Sequence, residues 1–325
     1  MKSHFNNQYH AEISPIKSDT FRPLWSVLIP THNCAEYLKE TLASVLNQDP
    51  GPEKMEIIVV DDHSTADDPH AAVKQISDDR VRFVQQPDNV GKVRNYETGL
   101  QMSRGHLIHQ LHGDDKVRPG FYDKMGKLMA EHPEAGAGFC RSIYIDENSD
   151  WIKLTGSEQE NDGIVNGFLE RIAVGQRVQT PAMVVRRSVY EDLCGFDRRL
   201  DCMEDWEMWT RIANFYPVAF CNKVLTEYRV HDTNATNKTL LDGSALKTQR
   251  CLLKIVDGYL DQNVLKRIVK QRARKQADFL LFSATAMKRR NGEGKTIAHR
   301  TICQALKYSR KPKVLLNSAR LFLKK

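Results

Sequence analysis

Short apolar runs alternate with stretches of helical spacing through the first 130 residues of the chain. Trp25-Ser26-Val27-Leu28-Ile29-Pro30 reads as a strand, and Tyr37, Leu38, Leu42, Val45 and Leu46 predict a helix behind it. A second strand, Glu56-Ile57-Ile58-Val59-Val60, precedes a predicted helix at 69–76 and a strand at Val81-Arg82-Phe83-Val84. A helix over about residues 92–103 leads into the run His106-Leu107-Ile108-His109-Gln110-Leu111, and Pro119 opens a helix over 121–131. Such alternation implies an α/β fold with a mostly parallel central sheet.

Beyond residue 135 the pattern shortens. Gly136-Ala137-Gly138-Phe139-Cys140, Ile143-Tyr144-Ile145 and Pro181-Ala182-Met183-Val184-Val185 predict a mixed sheet region. Trp206, Trp209, Ile212 and Ala213 mark an amphipathic helix over 204–215, and a last strand is expected at 224–230. Helical spacing then returns at 245–260, 264–287, 295–308 and 314–323, broken at Asn291-Gly292-Glu293-Gly294 and Pro312.

Charge divides the chain in the same place. The segment 245–325 carries 21 Lys and Arg against 4 Asp and Glu, a local charge of +17, while residues 1–244 carry 27 against 37, or −10. The expected organisation is a polar, loose extension at 1–24, an α/β domain at 25–240 and a basic helical C-terminal region at 241–325. Basic residues beside apolar stripes such as Leu252, Leu253, Ile255, Val256, Leu280, Leu281 and Phe282 suit either packing on the domain or contact with an anionic membrane. A nucleic-acid partner is not expected, because the segment has few aromatics for base stacking and no groove-reading motif.

The seven cysteines, Cys34, Cys140, Cys194, Cys202, Cys221, Cys251 and Cys303, form no Cys-x-x-Cys pair and read as reduced thiols of a cytoplasmic protein. No apolar run approaches the roughly 20 residues that cross a bilayer, and the N-terminus has no apolar leader. Association with the inner face of the cell membrane would therefore be peripheral. Asn234 and Asn237 match the glycosylation pattern, which we read as chance in such a protein.

The chemistry resides in three acidic pairs: Asp61-Asp62, Asp114-Asp115 and Glu204-Asp205. The first two follow apolar strands, and ligands of open α/β sheets bind beyond the carboxyl ends of such strands. Paired carboxylates there repel one another unless a proton or cation joins them, which asks for a divalent metal and points to phosphate chemistry.

Ser26-Val27-Leu28-Ile29-Pro30-Thr31-His32-Asn33, Glu56 through Thr65, Asn89-Val90-Gly91 to Arg94-Asn95, His112-Gly113-Asp114-Asp115, Glu204-Asp205-Trp206-Glu207 and Tyr228-Arg229-Val230-His231 stand in a telling order. Over about residues 25–232 the chain resembles family-2 glycosyltransferases of the GT-A fold. The resemblance implies a nucleoside-diphosphate sugar as donor, Mn2+ or Mg2+ as cofactor, and inversion at the anomeric carbon. The implied reaction moves a sugar to a hydroxyl of a glycan or lipid-linked acceptor in cell-envelope polysaccharide synthesis. The alternative from another class is a catalytically silent nucleotide- or carbohydrate-binding protein of the same fold.

The resemblance also assigns roles. Pro30, Thr31, Asn33, Asp61 and Asp62 would frame the base, with His32 where the family often has an aromatic; the plainer reading of Asp61-Asp62 is an N-cap for the next helix. Gly91, Lys92 and Arg94 would receive the diphosphate at a helix N-terminus. Asp114 and Asp115 would hold the metal beside the donor, with His231 near it, although a tight turn also favours Gly-Asp-Asp. His112 stands where the family usually has Asp. Asp205, supported by Glu204, would be the general base, against the plainer reading of acidic residues complementing a helix dipole. Gly195-Phe196-Asp197 resembles the loop beside the acceptor.

Overall fold

The computed structural model describes residues 8–77, 79–231 and 244–288, with positions 301–303, 305, 306, 314 and 318. The expected breaks at 291–294 and Pro312, and Asn234 and Asn237, lie outside the described residues. The chain forms two compact units, Met1–Phe168 with Arg177–Val230, and Leu169–Gln176 with His231–Lys325.

The first unit is built on one ten-stranded mixed sheet. Its parallel part runs β3 (Arg82–Gln85), β2 (Met55–Asp61), β1 (Trp25–Thr31), β4 (Leu107–Gln110). All seven residues of β1 are buried, as in a strand covered on both faces. The sheet continues through β9 (Met183–Arg186), antiparallel to β4, then β6 (Ala137–Ile145), β10 (Val218–Arg229) and the two-residue β5 (Lys116–Val117). β7 (Trp151–Leu154) pairs with β6, and β8 (Gly163–Ile164) with β10.

The longer helices of this unit are α1 (Ala35–Leu46), α2 (Pro69–Ser77), α3 (Lys92–Met102), α4 (Phe121–Glu131) and, after the short α6 (Arg187–Leu193), α7 (Glu204–Phe215); the short α5 (Phe168–Val174) lies almost wholly in the second unit. Leu38, Leu42 and Val45 of α1 are fully buried, as their spacing predicts. α3 lies very close to β1. A Cβ at Gly99 would sit 1.9 Å from Leu28 Cδ1, so only glycine permits this approach.

Several expectations need correction. The two strands read at 136–140 and 143–145 are one continuous β6, and the last strand begins at Val218, six residues earlier than expected. Register shifts on either side of Val224 bend β10, and exposed Lys223 broke the apolar run that would have shown it whole. A single 3-10 turn, Thr180–Ala182, precedes β9. The stretch before Trp25 is also not loose from Gln8 onward. Ile13 is fully buried, His10 bridges Asp197, and Ala11 accepts the Gly195 N–H at 2.9 Å.

In the second unit, α8 (Ser244–Tyr259) and α9 (Gln262–Lys288) carry the predicted stripes. Ala277, Leu280, Leu281 and Ala284 form one buried cluster with Ile302, Ala305 and Val314, while Phe282 and Val269 stay exposed. Arg267 pairs with Glu170 at 2.7 Å, and Arg272 bonds Asp257 and the carbonyl of Ala173. No helix among the described residues is long and apolar enough to cross a membrane.

Candidate functional site

The site forms where β1, β2 and β4 end and α7 begins. Thr31 closes β1, and its carbonyl accepts the Asp62 N–H at 2.9 Å. Asn33, held at φ 51°, clips two loops together: its Oδ1 accepts from the Thr65 and Ala66 amides, both at 2.9 Å. Asp61 is fully buried and saturated. Ser64 donates to it through both its amide and its hydroxyl, at 3.0 and 2.5 Å, and Gln85 adds a third bond at 3.0 Å. Asp61 thereby shapes the loop. Asp62 accepts from the Val90 amide at 2.8 Å through Oδ1 and fixes the approach to α3.

That approach turns at Gly91 (φ 83°), a conformation glycine adopts without strain. Lys92 opens α3, but its ammonium lies 2.8 Å from the Glu204 carboxylate rather than free for a phosphate. Arg94 is exposed. One turn after Lys92, Tyr96 stacks on His112 with ring centroids 5.5 Å apart and meets Phe196 edge-on at 5.4 Å. Residues four apart share a helix face. One turn of α3 therefore touches the start of α7 and the loop after β4 together.

The loop after β4 is tightly held. A Cβ on Gly113 would lie 2.9 Å from Thr31 Oγ1, and the Gly113 amide bonds the Pro30 carbonyl at 3.1 Å. Asp115 is 1% exposed; its Oδ1 accepts the Arg229 amide at 2.9 Å, and its Oδ2 is buried without a hydrogen bond. Burial and the neighbouring Asp114 push its pKa well above the usual carboxylate range. His112, Asp114 and Asp115 each offer one ligand atom, all within 4.8 Å of one another. His112 is the third member of this trio, and His231, expected among the ligands, is not in it. Burial lowers the His112 pKa, which favours the neutral imidazole that metals bind.

Arg229 was not singled out from the sequence, yet it organises this corner. Fully buried, it donates to the Asp114 carbonyl at 2.9 Å, to the Asp146 and Glu147 carbonyls at 3.2 Å, and to Glu40 at 2.8 Å. Its guanidinium lies over the Tyr37 ring, 4.5 Å from the centroid. The conformation of the acidic loop is thus over-determined.

At the start of α7, Met203 sits at φ 64° and Glu204 is buried. Asp205 is partly exposed and accepts from the Trp206 amide at 2.7 Å and the Thr180 hydroxyl at 3.3 Å. Burial and the adjacent Glu204 raise its pKa to about 7, against the opposing pull of Lys92. Within α7, Glu207 and Arg211 form an ion pair with neither side chain exposed, and Arg211 also holds the Leu193 and Gly195 carbonyls. The Gly195–Asp197 loop is clamped further by the Arg198 pair with Glu97 at 2.7 Å. Asp197 is kept well below the usual carboxylate range, since Arg199 and His10 outweigh its burial.

The two remaining acidic pairs share one field. Burial raises the Tyr96 phenol well above its usual pKa, and Glu204, Asp205, Asp114 and Asp115 all add to the effect. The Tyr144 phenol, raised to about 12 chiefly by burial, also feels Asp205 and Asp115. Asp115 and Asp205 therefore both act on Tyr96 and on Tyr144. The arrangement offers a group of two carboxylates and an imidazole that could hold a cation, and a carboxylate able to take a proton near neutral pH.

The glycosyl transferase family 2 model matches residues 26–194. An uncharacterised glycosyltransferase of Haemophilus influenzae is 25% identical over 222 residues, covering 66% of this chain and 68% of the relative. Chondroitin synthase of Escherichia coli is 25% identical over 242 residues, 71% of this chain and 33% of that protein. Among solved structures, S. aureus TarS 1–349 in complex with UDP-GlcNAc aligns with a TM-score of 0.66 at 17% identity, covering 87% of this chain and 81% of that one. A mannosyltransferase from Pyrobaculum calidifontis, in complex with GDP-Man and Mn2+, aligns at 0.59 with 20% identity, covering 94% and 82%. These structures share the GT-A fold expected from the sequence.

Proposed function

The chain belongs to glycosyl transferase family 2, and on that premise we propose that it is a metal-dependent, inverting enzyme using a nucleoside-diphosphate sugar. The observation that carries this reading is the single turn of α3 on which Lys92 meets Glu204 and Tyr96 meets His112, so that one helix face touches both the start of α7 and the loop after β4. The neighbours solved with UDP-GlcNAc and with GDP-Man and Mn2+ support the donor class.

The residues fit a divalent cation: two carboxylates and a neutral imidazole converge, and Asp115 carries a buried oxygen without a hydrogen bond. Asp114, Asp115 and His112 would hold it, and when bound it would screen the charge growing on the departing diphosphate. Pro30, Thr31, Asn33 and Asp62 would frame the nucleotide base, with Asp61 behind them as the carboxylate that shapes their loop. Gly91 and Arg94 would meet the diphosphate.

In the transfer step Asp205 takes the proton of the acceptor hydroxyl as its oxygen bonds to the anomeric carbon. The bond from that carbon to the diphosphate oxygen breaks with its electron pair leaving on the nucleotide, and attack from the opposite face inverts configuration. The proposed acceptor is a glycan or lipid-linked sugar of the cell envelope. The charge of +17 over 245–325 supports peripheral contact with an anionic surface, while the buried cluster of α9 uses much of the apolar stripe internally.

A thermal-shift screen of UDP, GDP and dTDP sugars tests the reading. One donor class should raise Tm with manganese present and lose most of that gain in EDTA, since ligands of the folded state alone stabilise it. No shift with any donor would reject it.

A further inference from the structure

Lys92 has a place in the site that its position on a phosphate-facing turn does not suggest. The backbone around it is fixed on the side of Asp62. Asp62 accepts the Val90 amide at 2.8 Å, Asn89 donates to the Asp62 carbonyl at 3.0 Å, and buried Asn95 donates to the Val60 carbonyl at 2.8 Å. Its ammonium points the other way, 2.8 Å from a Glu204 carboxylate that is 3% exposed.

We propose that Lys92 is a positioning residue for transfer: it pins and balances the Glu204 carboxylate, so that the adjacent Asp205 carboxylate is left as the anion that serves the acceptor hydroxyl. This rests on Asp205 being the base. Two adjacent carboxylates at one buried helix start repel each other, and a proton on one of them would relieve the repulsion. Lys92 supplies the relief instead. Although burial opposes its charge, Glu204 holds the ammonium above the usual lysine range, so it stays protonated at neutral pH.

Groups from several elements act on Asp205. Glu204 and Lys92 act as charges, the Trp206 amide and Thr180 hydroxyl donate hydrogen bonds, and the phenols of Tyr96 and Tyr144 lie within its field. His112 feels both Glu204 and Lys92 from the loop after β4. Lys92 is the cation among these groups, so its removal should make the Asp205 carboxylate harder to ionise.

Lys92→Met, Lys92→Arg and Lys92→Met/Glu204→Gln, assayed across pH with manganese, test the assignment. Lys92→Met should move the acidic limb of kcat/KM up by about one pH unit, cutting the rate about tenfold at pH 6 and about fivefold at pH 7. UDP affinity by calorimetry should stay within about twofold, because the ammonium is engaged with Glu204. Lys92→Arg should restore the limb, and adding Glu204→Gln to Lys92→Met should bring it back down, since the repelling charge is then gone. An unmoved limb overturns the proposal: with weaker UDP binding it makes Lys92 a diphosphate contact, and with only a lower Tm it makes the pair structural. Asp205→Asn run alongside keeps the two claims apart, because parental turnover in that variant defeats the base reading whatever Lys92 does.

Discussion

Asp61-Asp62 and Glu204-Asp205 are the same chemistry at two ends of one site, and the fold treats them in opposite ways. Asp61 receives three hydrogen bonds and Asp62 a backbone amide, so both are tied into the loops they border. Across the site, burial and a second carboxylate lift Asp205 to about 7, and Asp115 keeps a buried oxygen with no hydrogen bond. A carboxylate well served by donors is stabilised as an anion and shapes the chain. One whose burial outweighs its donors retains affinity for a proton or a metal. Reactivity here follows the unmet demand rather than the residue type.

Reversing that demand at Asp205 should have the largest effect. Asp205→Asn should cut transfer by about 10²–10⁴-fold, the usual worth of a general base, while UDP binding by calorimetry persists. In the parent, kcat/KM should climb with pH through about 7, since the base acts when ionised. Stability moves in the other direction. The folded state holds the Asp205 proton up to about 7, whereas the unfolded chain releases it near the ordinary aspartate value of 3.8. Folding therefore weakens as pH rises through that window, and the Asn variant should gain Tm over the parent above pH 7. A variant with equal Tm offset at pH 5 and pH 8 would place Asp205 among the satisfied carboxylates.

Arg229 is the counterweight that makes an underserved Asp115 tolerable. Arg229→Met leaves several carbonyls without their donor, while half-exposed Glu40 keeps Lys116 and Ser149, and should cost about 1–3 kcal/mol in denaturant unfolding. A loss below about 1 kcal/mol would mean that the loop holds itself. Asp115→Asn asks the milder question. It keeps the shape and the acceptor for the Arg229 amide, so the metal-free protein should be at least as stable as the parent. Manganese-dependent UDP affinity should fall by more than about tenfold, because a charged oxygen ligand is lost. Unchanged affinity in manganese would remove Asp115 from the cation site.

Much of this was legible before the structure. Helix α7 has the predicted bounds, and α1 buries the expected face, because apolar spacing reports which side of a helix meets the core. The acidic pairs stand at strand ends and a helix start, where chain order put them. Partnerships between distant residues were not legible. Arg229 stands in a motif visible in the sequence, but it reaches Asp114 and Glu40 from more than a hundred positions away, and nothing local names those partners. The Lys92–Tyr96 spacing was visible as one helix face, but what that face met depended on how α3 lies against β1.

The smallest effect should come from the best-served carboxylate, and it bears most directly on the contrast. Asp61→Asn turns one charged acceptor into an amide that cannot satisfy both Ser64 and Gln85. Stability should drop by about 1–3 kcal/mol, as for a buried polar group left partly unpaired. UDP affinity should change by less than about threefold, the loop being loosened rather than stripped of a contact, whereas Asp62→Asn should weaken UDP by about tenfold if its carboxylate meets the base. Should Asp61→Asn prove the more damaging to UDP binding while leaving Tm in place, hydrogen-bond satisfaction would not separate scaffold from chemistry in this site, and Asp61 would move to the donor.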